Sequence, residues 1–165
     1  PAVLDAQSQP ISSSAVRDAL RRGDVDRAAE LIGYRWFVRA PVIHGEKRGR
    51  ELGYPTANMR LDPNCGLRHG IYAVRIALGS HGVRHGVASF GRRPTFDDGA
   101  PLLETYVFDF AGDLYGTLAD VEFAAFIRPE EKFDTIEALV ARMDIDQASA
   151  REILSGPPWR RSLLA

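Results

Sequence analysis

The sequence predicts a mainly β protein, an antiparallel sheet closed into a barrel, with two short helices before it and a helix packed on it afterwards. Three observations carry that expectation. From Tyr34 onward apolar residues alternate along the chain, and Tyr72, Val74, Ile76 and Leu78 fall on one face of an extended segment. The alternating stretches are short and are joined by turn sequences such as Gly79-Ser80-His81-Gly82 and Ala111-Gly112-Asp113. Helical patterning is confined to the two ends. Closely spaced strands with tight turns favour closure, because a barrel leaves no unpaired edge.

Each element has its own signal. A serine-rich cap leads into a helix over Ala15–Arg22 that Gly23 stops, and Asp24 caps a second over Val25–Ile32 that ends before Gly33. The turn at 79–82 feeds a strand over Val83–Phe90. Leu102–Phe110 is a strand, turned by 111–113, and Leu118–Ile127 returns. Asp134 with Glu137 makes a capping-box-like start to the last helix, with Phe133 as its staple. Ile136, Leu139, Val140 and Met143 then recur at helical spacing, a stripe expected to lie on the barrel. The end of the chain, from Ser155 to Ala165, carries Gly156-Pro157-Pro158 and is expected to be loosely ordered.

Composition excludes several classes. The chain has 165 residues, is 45% hydrophobic and carries a formal charge of −1, which suits one substantial core and argues against bulk nucleic-acid binding. No apolar stretch approaches a membrane span, and no charged-then-apolar leader opens the chain. A cytoplasmic protein without membrane or nucleic-acid partners is therefore expected. Cys65 is a single cysteine, so an internal disulfide is impossible, and no paired-ligand spacing suggests structural zinc.

The run from Gly45 to Asn58 carries the most chemistry. It sets Lys47, Arg48 and Arg50 among Gly45, Gly49 and Gly53, then follows Pro55 with Thr56 and Asn58. Glycines let backbone N–H groups approach an anion, and the cations attract phosphate oxygens. Thr56 and Asn58 are hard oxygen ligands that face the same side of an extended segment. The spacing is not that of a Walker motif. A basic surface loop explains the same glycines and cations, and a turn after Pro55 explains Asn58.

The run resembles the signature of flavokinases, the riboflavin kinase module of bacterial bifunctional riboflavin kinase/FMN adenylyltransferases (FAD synthetases). Further matches follow in order: Gly70-Ile71-Tyr72, Gly91-Arg92-Arg93-Pro94-Thr95-Phe96, Glu104 to Phe110, Asp113-Leu114-Tyr115-Gly116, Ile127-Arg128-Pro129-Glu130 and Lys132-Phe133-Asp134. The resemblance spans Tyr34 to Leu154. It implies a Greek-key-type barrel of the riboflavin kinase kind, which uses ATP and Mg²⁺ to convert riboflavin to FMN and ADP.

Residue by residue, the resemblance makes Glu104 catalytic and a flavin neighbour, and makes Thr56 and Asn58 the magnesium ligands. It assigns ATP to His44, Gly45, Gly49, Arg50, Gly53, Pro55, Thr56 and Asn58, with the contact at His44 made through backbone, and flavin to Arg128 and Phe133. The loop 47–53 is expected to order around nucleotide. Ser89 stands where many relatives have Asn. Read from the residues alone, Glu104 shares a strand face with Tyr106, Phe108 and Phe110. If that face is inward, apolar surroundings raise its proton affinity, as a general base needs; otherwise it is an ordinary strand-end glutamate. Arg128 ends a hydrophobic strand, where it can reach a ligand or pair with Glu130 or Glu131.

Ile11-Ser12-Ser13-Ser14-Ala15-Val16-Arg17 is similar to the closing motif of the adenylyltransferase domain that precedes the kinase in the bifunctional enzymes. Residues 1–33 are thus expected to be a helical remnant of that domain, 34–155 the kinase barrel with its helix, and 156–165 a tail. With an opening at Pro1, the chain is expected to be a piece of a longer protein whose adenylyltransferase activity it lacks.

Overall fold

The computed structural model describes residues 13–45, 56–93, 99–157 and 162–164. Six described strands form one antiparallel sheet: β1 (Phe37–Pro41), β2 (Thr56–Arg60), β3 (Gly70–Ala77), β4 (Val83–Arg92), β5 (Pro101–Val107) and β6 (Leu118–Arg128). Their spatial order is β1-β6-β3-β4-β5-β2. The Ile43 N–H donates to the Asn58 carbonyl at 2.8 Å, so the chain after β1 meets β2 and the two edges of the sheet come together.

β6 does not return beside β5; it crosses to lie between β3 and β1. β5 already has both edges paired, to β4 and to β2, so the chain after it must travel, and the barrel acquires Greek-key connectivity.

The interior follows from period-two patterning. Tyr72, Val74, Ile76 and Leu78 of the β3 segment are fully buried together with Met59, Phe90, Leu103, Val121 and Phe123. Tyr72 meets Phe123 edge-to-face at 5.2 Å, and its hydroxyl donates to the Arg68 carbonyl at 2.5 Å, so its polar end is satisfied inside the core.

The N-terminal helices are α1 (Ser13–Arg21) and α2 (Val25–Ile32). Asp24 accepts from the Arg27 N–H at 3.0 Å, and Gly33 closes α2 with φ 86°, a left-handed turn that glycine adopts without a Cβ penalty. Ala19, Leu20, Val25 and Ala28 join the main core cluster of the barrel. The Arg68 N–H also bonds the Leu20 carbonyl at 2.9 Å, so these helices share the barrel's interior.

Part of the outer face of the sheet, over β3, β4 and β6, is covered by α3 (Ile136–Ser155). Its cap is Thr135, whose hydroxyl accepts from the Ala138 N–H at 3.1 Å, one residue later than the expected Asp134. The expected apolar stripe is not its buried face. Ile136 is 55% exposed and Leu139, Val140 and Met143 are only half-buried, whereas Asp146 and Ala150 are buried. The contact stripe therefore runs through Asp146, Ala150 and Leu154, four residues apart, onto a layer containing Ala73, Ala124, Ala125 and Phe108. Small side chains on the sheet let the helix backbone come close.

An ion pair also ties α3 to the sheet. Arg128, at the end of β6, makes a bidentate pair with Asp146 at 2.9 and 2.7 Å, both side chains nearly free of solvent. The tail is not loose throughout, because the Ser162 hydroxyl donates to the buried Glu122 carboxylate, which also pairs with Arg75 at 3.3 Å. Among the described residues no helix is long and apolar enough to cross a membrane.

Removing one member of the Arg128–Asp146 pair strands the other charge in the interior. Asp146→Ala is expected to lower stability by about 3–5 kcal/mol, and a double replacement by apolar residues of similar volume, Arg128→Met with Asp146→Leu, should recover most of it. Urea unfolding of the three proteins checks this; equal losses in the single and double variants would contradict it.

Candidate active site

Three segments converge at one end of the barrel. The chain after β1, the start of β2 and the loop between β5 and β6 enclose a cavity of about 600 Å³. His44, Gly45, Thr56, Asn58, Asp113 and Tyr115 line it. Of the residues assigned to nucleotide, His44, Gly45, Thr56 and Asn58 are thus brought together, while Gly49, Arg50, Gly53, Pro55 and the rest of the basic loop lie outside the described residues.

The sequence dictates this local geometry. In antiparallel pairing Thr56 and Asn58 point to the same face of β2, opposite to Ala57 and Met59, which enter the core. The Asn58 amide nitrogen lies 3.3 Å from the Thr56 carbonyl and 3.5 Å from its hydroxyl, so two oxygen-bearing side chains converge on the cavity. Such a pair fits Mg²⁺, which takes few protein oxygens and fills its shell with water and phosphate. Gly45 passes so close that a Cβ there would overlap the whole Asn58 amide. Beside Gly45, His44 stacks on Tyr115 at 3.7 Å with an angle of 15°, and Asp113 accepts from the Tyr115 N–H at 2.9 Å, which holds the loop.

The ladder register links this cavity to the rest of the sheet. Asn58 stands directly opposite Glu104, Glu104 opposite Ser89, Ser89 opposite Ile71 and Ile71 opposite Arg128. One row therefore crosses five strands on the outer face. At roughly 4.8 Å between strands, Glu104 sits one strand from Asn58. Its carboxylate lies 3.3 Å from the Arg93 guanidinium, which donates to Glu130 at 3.0 Å and to the Ser89 hydroxyl at 3.3 Å. Burial alone would make Arg93 easier to deprotonate, but its bonds to Glu130 and Glu104 outweigh that and hold its charge more firmly than usual.

Two points that the residues alone left open are decided by the packing. The inward residues of β5 are Leu103, Thr105 and Val107, so Glu104 and Tyr106 face outward, and the surroundings of Glu104 are Arg93, Ser89 and Asn58 rather than an apolar pocket. Arg128 does share the row of Glu104, but its guanidinium is spent on Asp146, with Glu131 only at 3.9 Å and the Phe133 ring centroid 5.8 Å away. Neither Arg128 nor Phe133 lines the cavity. Arg93, Glu130 and Tyr115 were not singled out from the sequence as site residues, although each falls inside or beside a motif that was.

With this geometry in place, comparison with known proteins is specific. Residues 32–154 match the family Flavokinase, riboflavin kinase. The chain is 41% identical over 148 residues to a bifunctional riboflavin kinase/FMN adenylyltransferase of Haemophilus influenzae, covering 90% of this chain and 47% of that one. Among solved structures it is similar to riboflavin kinase from Trypanosoma brucei, with a TM-score of 0.55 and 25% identity over 73% of this chain and 80% of that one. It is also similar to a chain described as a macrolide-efflux protein from Streptococcus pneumoniae, with a TM-score of 0.81 and 36% identity over 92% of this chain and 49% of that one. The chain spans about half the length of the curated relatives it matches.

Gly45→Ala should displace the Asn58 amide without touching the core. The expected outcome is a tenfold or greater loss in affinity for ADP with Mg²⁺, on the order of 1.4 kcal/mol, beside a nearly unchanged melting temperature. Calorimetric titration and a thermal melt read the two quantities, and undiminished affinity would remove the close approach of Gly45 and Asn58 from the site.

Proposed function

The chain belongs to the riboflavin kinase family, and from that premise we propose that it transfers the terminal phosphoryl group of ATP to the ribityl 5′-hydroxyl of riboflavin, giving FMN and ADP. The observation that carries this reading is the register pair Asn58 and Glu104, which joins a nucleotide-sized cavity to a carboxylate one strand away. We assign ATP to the cavity and riboflavin to the outer face beyond Glu104.

Phosphoryl transfer needs positioning, neutralisation of spreading charge and a route for the alcohol proton. The 600 Å³ cavity supplies the first, with Gly45 leaving room for the Asn58 amide and the His44–Tyr115 stack offering an aromatic wall. Thr56 and Asn58 are the residues that would hold Mg²⁺ with ATP, and the ion would supply neutralisation of the charge that develops during phosphoryl transfer. Glu104 is the group proposed to take the proton from the ribityl hydroxyl. Its half-buried position leaves it open to a substrate while a guanidinium fixes one oxygen. In this reading Arg128 and Phe133 shape the flavin side from the far end of the row, Arg128 through its hold on α3 as well as through any contact of its own.

Residues 1–33 are proposed to derive from the adenylyltransferase domain of a longer bifunctional enzyme working in the cytoplasm, and the chain itself is proposed to make no FAD. A catalytically silent flavin-binding barrel is the other reading of the same cavity, and no observation favours it. Incubation with riboflavin, ATP and Mg²⁺ followed by separation of the flavins tests both halves: FMN without FAD is expected, and no FMN would refute the kinase reading.

Thr56→Ala and Asn58→Ala each remove an oxygen donor and little apolar bulk. Both should raise the Mg²⁺ concentration needed for half-maximal rate and lower turnover, with melting temperatures within a few degrees of the parent. A magnesium dependence identical to that of the parent in both variants would take these two residues out of the metal site.

A further inference from the structure

Arg93 follows β4 and turns its guanidinium back over the outer face of the sheet. One arm, Nη2, is shared between Glu104 Oε1 and Ser89 Oγ, each at 3.3 Å; the other, Nη1, donates to Glu130 Oε1 at 3.0 Å and to the Arg92 carbonyl at 3.4 Å. The bridge is built from three directions. Ser89 and Glu104 are register partners on neighbouring strands. Glu130 lies two residues beyond Arg128, whose bond to Asp146 fixes the end of β6. Its carboxylate occupies the space where a side chain at position 91 would begin, so Gly91 is what admits it.

Stability does not account for this arrangement. The side chains of Arg93, Glu104 and Glu130 are 36%, 29% and 36% exposed, and ion pairs at such exposure contribute little to folding. A glutamate on an outward strand face has three rotatable bonds, and its carboxylate can adopt many positions. An arginine fork pinned on both sides removes most of that freedom.

We infer that Arg93 is a positioning residue for the phosphoryl-transfer reaction, holding the Glu104 carboxylate in one orientation toward the substrate hydroxyl while Glu130 and Ser89 hold Arg93. The inference rests on the reading of Glu104 as the proton acceptor. Its signature is that Arg93 matters only while Glu104 is present, because Arg93 acts through it and touches no reacting atom.

The test is a double-mutant cycle on FMN formation by the same chain, using riboflavin, ATP and Mg²⁺. Arg93→Gln should lower kcat by about ten- to a hundredfold, as misplacement of a catalytic group by an ångström does, with KM for both substrates within about threefold of the parent. Arg93→Lys should restore part of the loss, since it keeps the charge and loses the fork. In a Glu104→Gln background, Arg93→Gln should change kcat by less than about twofold, because interacting residues are not additive. Glu130→Gln, which leaves Arg93 and Glu104 in place, should reproduce a smaller loss of kcat with the same dependence on Glu104, and it serves where Arg93→Gln does not fold. Equal losses of kcat in the two backgrounds, or an unchanged kcat in Arg93→Gln, overturns the inference while leaving Glu104 as the base. Near-parental turnover in Glu104→Gln alone overturns the base and the inference with it, and is read without altering Arg93.

Discussion

The backbone of Asn58 is where the barrel closes and where the proposed chemistry starts. Its carbonyl accepts the Ile43 N–H that joins the two edges of the sheet, and its register partner across the β2–β5 ladder is Glu104. Because side chains alternate with a period of two, slipping β2 by one residue would bring Ala57 and Met59 to the outer face and bury Thr56 and Asn58 in the core. The core cannot tolerate that exchange, since Met59 packs fully buried across from Leu103. The hydrophobic interior thus enforces the polar row outside it.

The two faces of the sheet have different tasks. Inside, large apolar residues such as Tyr72, Phe90 and Phe123 fill the barrel. Outside, the row Asn58, Glu104, Ser89, Ile71 and Arg128 runs from a polar end beside the cavity to a covered end under α3. Arg128 belongs to the covered end. Its pairing with Asp146 anchors the helix, and two residues later the same chain delivers Glu130 to Arg93. A buried ion pair at one end of the row is in this way connected to the geometry of a half-exposed carboxylate at the other.

Much of this was legible in the sequence where local rules decide. The two N-terminal helices and their Asp24 and Gly33 caps, the face formed by Tyr72, Val74, Ile76 and Leu78, and the shared face of Thr56 and Asn58 follow from capping and alternation. What local rules did not decide needed a neighbour. The path of β6 depended on β5 having both edges occupied, which no local pattern reveals. The stripe of α3 misled because its anchoring residue is a charge, Asp146, whose partner is 18 positions earlier. The outward turn of Glu104 was ambiguous because both faces of β5 carry bulky side chains, Leu103 and Val107 on one and Tyr106 on the other. Arg93 could be seen as part of a motif, but its bridge needs Ser89, Glu104 and Glu130 together, and they come from three elements.

The central claim is that cavity and row are two halves of one site meeting at Asn58. A crystal structure of the chain with ADP, Mg²⁺ and riboflavin bound tests it most directly. The account predicts ADP in the cavity beside the His44–Tyr115 wall and Gly45, its phosphates toward Thr56 and Asn58, with the ribityl 5′-hydroxyl about 2.6–3.2 Å from a Glu104 oxygen. Riboflavin bound away from Glu104, or nucleotide bound outside the cavity, would contradict it.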